Sequence, residues 1–229
     1  MHDLIIYGAG GLGREVAEMV RRINEHHRIW NFLGFVDDAQ EALVPELAHG
    51  RAAVPTADAE ERENLCGFNL LGDMDFLRSF SRPLDVAIAI ASPKAKRKIY
   101  EELKLLPNIH FPNVIDVDTT LSSRIEMEEG VIISHYCSVS VETHLGRCVF
   151  LNTGTHVGHD TIIGDFCSVM PSVNISGNVT VGEETLIGVG SVILQGKKIG
   201  AHSVVGMGSV VLGDVPDNCT VLGNPARKF

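Results

Sequence analysis

Hydrophobic residues recur along the second half of the chain at a spacing of six. From Leu121 to Val211 every sixth residue is aliphatic or methionine, sixteen positions without a break. Four residues beyond most of these anchors stands a small or β-branched side chain, as at Cys137, Thr155, Thr161, Cys167, Thr185 and Ser203, and directly after many of them stands Gly. Lys197 is the clear exception to the small position. A helix repeats its apolar face near 3.6 residues and a half-buried strand at 2, so a period of six fits neither. It fits short strands joined by tight turns, three to a coil, stacked as a triangular parallel β-helix with the anchors inside. Residues 121–210 then form five coils, about 24 Å tall at the ~4.8 Å spacing of paired strands. Parallel crossovers are normally right-handed, so spacing alone favours that hand.

The first half reads differently. Residues 4–13, LIIYGAGGLG, are a buried strand running into a glycine-rich turn, and REVAEMVRRI carries its apolar residues at helical spacing. Gly8, Gly10 and Gly13 match GxGxxG, with Gly11 and Leu12 inside the turn. A helix that starts there offers free N–H groups and a positive dipole end to a phosphate. A second strand, NFLGFVDD, ends in Asp37 and Asp38, where the dinucleotide fingerprint places its ribose-binding acid. A third, DVAIAIAS, leads into the helical KAKRKIYEEL. Only about 110 residues precede the prism, which suits a half-sized Rossmann-like βαβαβ unit and a mononucleotide in preference to NAD. Residues 39–80 hold Pro45, Pro55 and ADAEERE before LLGDMDFL, and read as a surface excursion without chemistry. The expected domains are 1–112 and 113–229.

Composition narrows the function. The 229 residues are 45% hydrophobic and 21% charged, the balance of a packed globule. Lys and Arg total 19 against 29 Asp and Glu, a net charge of -10 that argues against nucleic acid as a partner. No apolar run approaches the roughly 20 residues of a membrane span, and Asp3 interrupts a signal-peptide reading, so a cytoplasmic protein is expected. Five cysteines without CxxC spacing suggest neither a disulfide framework nor a thiolate metal site.

Together the GAGGLGREVAEMV opening, FVDD, LLGDMDFL, the hexapeptide prism and the closing GNPARKF resemble the NeuD/PglD family of sugar O- and N-acyltransferases over nearly the whole chain. That resemblance implies a left-handed β-helix, a homotrimer with its active site between neighbouring subunits, acetyl-CoA as cosubstrate and a nucleotide-linked sugar as acceptor. The matching base is His159 within LNTGTHVGHDTIIGDF, with Asp160 as its partner and Asn152 a further polar site residue. An imidazole near pKa 6.5 suits removal of a proton from the attacking acceptor. Gly177, Val189 and Met207 match positions that line acetyl-CoA, and the loop Gly8–Gly13 with Asp37 and Asp38 falls to the acceptor. Two positions depart from the pattern: Leu12 and Ser168 stand where many amino-sugar N-acetyltransferases of the family carry His, which weakens a UDP-4-amino-sugar as the acceptor. The prism of γ-class carbonic anhydrases binds zinc through His residues, two of them five apart; no His pair here has that spacing, and no metal is expected. Two readings compete with nucleotide-sugar acetylation: O-acetylation of a free sugar such as sialic acid, and a non-catalytic nucleotide-binding trimer.

Overall fold

A computed structural model describes residues 1–39, 63–65 and 68–229; Pro45, Pro55 and Cys66 lie outside the described residues. The chain opens with β1 (His2–Tyr7), α1 (Gly11–His26), β2 (Trp30–Val36), β3 (Glu63–Leu65), β4 (Phe68–Gly72), α2 (Met74–Ser79), β5 (Leu84–Ile88), α3 (Pro93–Leu103) and β6 (Ile109–His110). These strands lie in the order β3-β4-β2-β1-β5-β6, and every neighbouring pair is parallel except β3 with β4. The sheet is thus wider than the three strands expected, because short segments at β3, β4 and β6 extend both edges. The order reverses at β1, so the crevice where such sheets bind ligands opens at the Tyr7 end of that strand. α1 buries Val16, Ala17, Met19, Val20 and Ile23. α3 starts cleanly because Ser92 caps it, accepting from the Ala95 amide, and Pro93 occupies its first turn.

From Val114–Ile115 onward, strands of two or three residues form three parallel walls of a triangular prism. The first wall starts at Val114–Ile115, the second at Thr120–Leu121 and the third at Ile125–Met127, and strands pair with those eighteen residues on, Ile133 with Leu151, Val139 with Val157 and Leu145 with Ile163, until the last coil shortens the step to sixteen, Val205 with Val221. The anchors from Ile133 to Val211 fill the interior at 3% exposure or less. The small position also has a chemical reason. Thr155, Thr161, Thr185 and Ser191 are fully buried, and each hydroxyl donates to a carbonyl fifteen residues ahead, at 2.8–3.2 Å. A thiol does the same at Cys137 and Cys167, and burial pushes these groups up to about 11 and about 12. Cys137 and Cys167 are therefore packing groups, not nucleophiles.

The N-terminal sheet and helices dock on the first wall. Val114, Ile132 and Phe150 point outward from that wall into the cluster built around α1. Tyr100 of α3 meets the rings of Phe111 and Phe166, with centroids 4.7 and 5.3 Å apart. Arg22 of α1 pairs with Asp116 and Asp118 at the edge between first and second walls, hereafter the first edge. Arg97 of α3 pairs with Glu183 and Glu184 at the third edge, between third and first walls. The second edge, between second and third walls, lies opposite the docked wall and is left uncovered by the described residues of this domain.

Candidate active site

The second edge carries the imidazole and the carboxylate that sequence singles out. His159 and Asp160 follow the second-wall strand His156–Val157 and precede the third-wall strand Ile162–Ile163. Asp160 turns the corner with φ 55°, a left-handed conformation that Asp and Asn tolerate better than most residues. The turn brings Asp160 Oδ2 to 2.6 Å from His159 Nδ1, and both side chains are half exposed. With the carboxylate as acceptor, Nδ1 carries the ring proton and Nε2 keeps its lone pair.

In the next coil, Gly177 makes room for that ring. A Cβ at position 177 would sit 2.6 Å from His159 Nε2 and 2.7 Å from Cε1, closer than any side chain accepts. Gly177 is therefore the floor on which the imidazole lies, a contact that its match to an acetyl-CoA position did not anticipate.

The other prism residues of the expected site stand elsewhere. Asn152, Val189 and Met207 follow first-wall strands and so line the first edge, one wall away from His159. Within one chain the six residues do not converge; they lie in two groups on different edges. Asn152 Oδ1 accepts from the Thr153 amide at 2.7 Å. Val189 and Met207 are exposed apolar residues, 45% and 78%, and Gly190 and Gly208 beside them face open space. Around Val189 and Met207 that edge is apolar and open, a surface suited to a flexible thioester arm. His156 is tied to Ser138 at 2.7 Å on the second wall, and His135 packs edge-on against Tyr136.

The glycine-rich loop has the close-packed geometry its motif requires. Gly8 holds φ 106°, and a Cβ on Gly13 would fall 1.8 Å from the Gly8 carbonyl oxygen. Gly10 and Gly11, in contrast, face empty space at the N-terminus of α1, where backbone amides lack helical partners. Leu12 is half buried and turns into the cluster that joins α1 to the prism. Both acids act on the fold as well as facing the crevice. Asp37 accepts from the amides of Ala9 and Ala39, and Asp38 accepts from the Tyr7 hydroxyl and the Met74 amide. They pin the loop's entry strand and the start of α2, a structural role the ribose reading had not included.

Ser168 is fully buried on the first wall and accepts a hydrogen bond from Lys96 Nζ at 3.0 Å, so it stands at neither edge. Lys96 itself was missed, because KAKRK reads as a solvated helical face. Among the described residues no group of three His, Cys, Asp or Glu is placed to hold a metal ion, and no helix is long and apolar enough to cross a membrane.

Residues 3–55 match the family described as the PglD N-terminal domain. The chain is 30% identical over 233 residues to GDP-perosamine N-acetyltransferase of Escherichia coli O157:H7, covering 98% of this chain and 95% of that one. Among solved structures, the acetyltransferase domain of PglB from Neisseria gonorrhoeae FA1090 in complex with acetyl coenzyme A superposes with a TM-score of 0.82 at 27% identity, covering 100% of this chain and 99% of that one. PerB from Caulobacter crescentus in complex with CoA and GDP-perosamine superposes with a TM-score of 0.81 at 25% identity, over 100% and 98% of the two chains.

Proposed function

The chain belongs to the NeuD/PglD family of sugar acyltransferases, and from that premise we propose how its two half-sites work. It is an acetyl-CoA-dependent acetyltransferase acting on a nucleotide-linked amino sugar. The observation that carries the assignment of the base is the His159–Asp160 contact, which leaves the Nε2 lone pair free on a half-exposed ring beside Gly177. The acceptor amine attacks the thioester carbonyl carbon and passes its proton to His159 Nε2. Asp160 holds the ring and stabilises the imidazolium while the C–S bond breaks, and the proton then leaves with the thiolate as free CoA. A positioned general base of this kind contributes about 10²- to 10⁴-fold.

The reaction needs more than one copy of the chain. The acceptor loop is mounted on the first wall, and His159 stands on the edge opposite that wall. Three chains around a common axis set the second edge of one against the first edge and loop of the next. A homotrimer supplies three such grooves, each lined by His159, Asp160 and Gly177 from one subunit and by Asn152, Val189 and Met207 from its neighbour. The second wall suits the contact: its outward column Thr120, Ser138, His156, Asn174, Val192 and Val210 carries no acid and no Lys or Arg. Residues 1–112 form the acceptor-binding domain and residues 113–229 the acyltransferase domain, a prism of about five left-handed coils, working in the cytoplasm. The nucleotide diphosphate lies over Gly10–Gly13, and Asp37 and Asp38 border its ribose.

The test is CoA release from acetyl-CoA with GDP- and UDP-linked amino sugars as acceptors. Wild type turns over at least one of them, and His159→Ala loses about 10³-fold in kcat while keeping its fold. A folded His159→Ala with full activity would remove that residue from the mechanism.

A further inference from the structure

A prism built from one repeat presents nearly the same surface at every coil, and that creates a docking problem. Along the first wall the outward column reads Val114, Ile132, Phe150, Ser168, Leu186, with one step of ~4.8 Å between members. The N-terminal domain covers its first three members by apolar contact, which is non-directional and resists a slide along the column only weakly. The fourth member is polar. Lys96, one turn into α3, is 1% exposed and reaches the wall there: Nζ donates to Ser168 Oγ at 3.0 Å and to the Cys167 carbonyl at 3.1 Å. Among the described residues the groups that face it electrostatically are the buried thiols of Cys148 and Cys167, with no carboxylate among them. A buried cation held by two neutral oxygens is poorly explained as a source of stability, and specifying register is the best-attested use of such groups.

We infer that Lys96 is a positioning residue: it fixes the height of the acceptor-binding domain on the prism, and through it the distance between the sugar's amine and the acetylating edge. The path is short. α3 begins at Pro93, just after Ala89 and Ile90, and Gly8 of the acceptor loop packs against the backbone of the first and the side chain of the second: a Cβ on Gly8 would meet the Ala89 oxygen and Ile90 Cδ1 at 2.8 Å. Moving α3 by one coil moves the loop by ~4.8 Å, and even a 1 Å misplacement costs about 100-fold in rate. Two sets of ion pairs add restraints: Arg22 ties α1 to the buried Asp116 and to Asp118 at the first edge, and Arg97 ties α3 to Glu183 and Glu184, a partly exposed group of the type that holds geometry weakly, so on α3 itself the buried Lys96 is the firmer tie.

This inference rests on the acetyltransferase reading above, and its test keeps the two apart. Wild type, Lys96→Met, Lys96→Arg and Ser168→Ala are compared by turnover of the nucleotide-linked amino sugar and by calorimetric binding of acetyl-CoA and of GDP or UDP. Lys96→Met fills the same space without the donor, so the expected result is a folded protein that binds both probes as wild type does, with kcat down about 10-fold or more. Lys96→Arg recovers most of that loss, and Ser168→Ala, which leaves the Cys167 carbonyl in place, loses part of it. A merely structural lysine would change melting temperature without separating kcat from binding. Lys96→Met within twofold of wild type in kcat, or an equal loss of probe binding, overturns the assignment. If Lys96→Met does not fold, Ser168→Ala decides: wild-type kcat in that variant overturns it too. A wild-type enzyme that acetylates no nucleotide-linked amino sugar contradicts the parent reading instead.

Discussion

Two edges of the prism are made from the same hexapeptide, and both carry an imidazole beside a carboxylate. On the second edge His159 lies 2.6 Å from Asp160; on the third, His202 lies 3.7 Å from Glu184 and 4.0 Å from Glu183. The surroundings separate them. Glu183 and Glu184 already bind Arg97 of α3, and Arg147 with Asp165 continues the ion-paired ladder one coil away. The carboxylates of that edge are spent on docking the N-terminal domain. Among the described residues Asp160 forms its ion pair with His159 alone, that ring is half exposed, and the next coil offers a glycine where other residues would fill the space. An acid–imidazole pair becomes a base when its acid is dedicated to it and its second nitrogen is left clear.

The comparison breaks most sharply at the floor. Gly177→Ala puts a methyl 2.6 Å from His159 Nε2, so the ring must swing away from its bond to Asp160. Loss of about 100-fold in kcat is expected, with acetyl-CoA binding less affected, measured by steady-state kinetics and calorimetry. Next comes the acid. Asp160→Ala leaves the imidazole unoriented and is expected to cost about 10-fold or more in kcat, whereas His202→Ala stays within about twofold. Equal losses from the two variants would erase the distinction between the edges.

A smaller effect sharpens the contrast on the docked side. Burial holds the Lys96 ammonium at about 8, against an ordinary value of 10.5. Between those values the unfolded chain carries the proton and the folded chain does not, so Lys96 contributes stability that rises with pH through that window, while below pH 8 the cost of burying the charge is fully felt. The buried thiols of Cys137, Cys148 and Cys167, raised to about 11 or 12, act in the opposite sense above pH 9. Only the difference between wild type and Lys96→Met isolates the lysine. By denaturant unfolding, wild type should gain about 2 kcal/mol on that variant between pH 7.5 and 9.5; a flat difference contradicts a buried ammonium at Lys96.

The prism was legible because its physics is periodic: an anchor every sixth residue and a hydroxyl or thiol donor at the fifth place follow directly from coils that stack at one spacing. The pairing of His159 with Asp160 was legible through the family motif. The division of the site between edges was present in the sequence as arithmetic, since residues eighteen apart share an edge and Asn152 and His159 differ by seven, but adjacency in the motif hid it. Lys96 and Ser168 were not legible. Lys96 stands among four other residues of a basic run, KAKRK, and only the docking of α3 decides which of those side chains is buried. Asp37 and Asp38 matched a ribose-binding position by spacing, yet their bonds to Ala9, Tyr7 and Met74 depend on strands brought together from distant parts of the chain.

The claim that one groove is shared between chains is tested most directly by complementation. His159→Ala removes the base, and Gly11→Glu places a carboxylate in the open space of the acceptor loop, where it repels a diphosphate. Each variant alone is expected to be inactive. Co-assembled in equal amounts, they should regain activity in about a quarter of the grooves, because a loop from one chain then meets an intact His159 from its neighbour. A mixture no more active than its parts would place the whole site within a single chain and contradict the account.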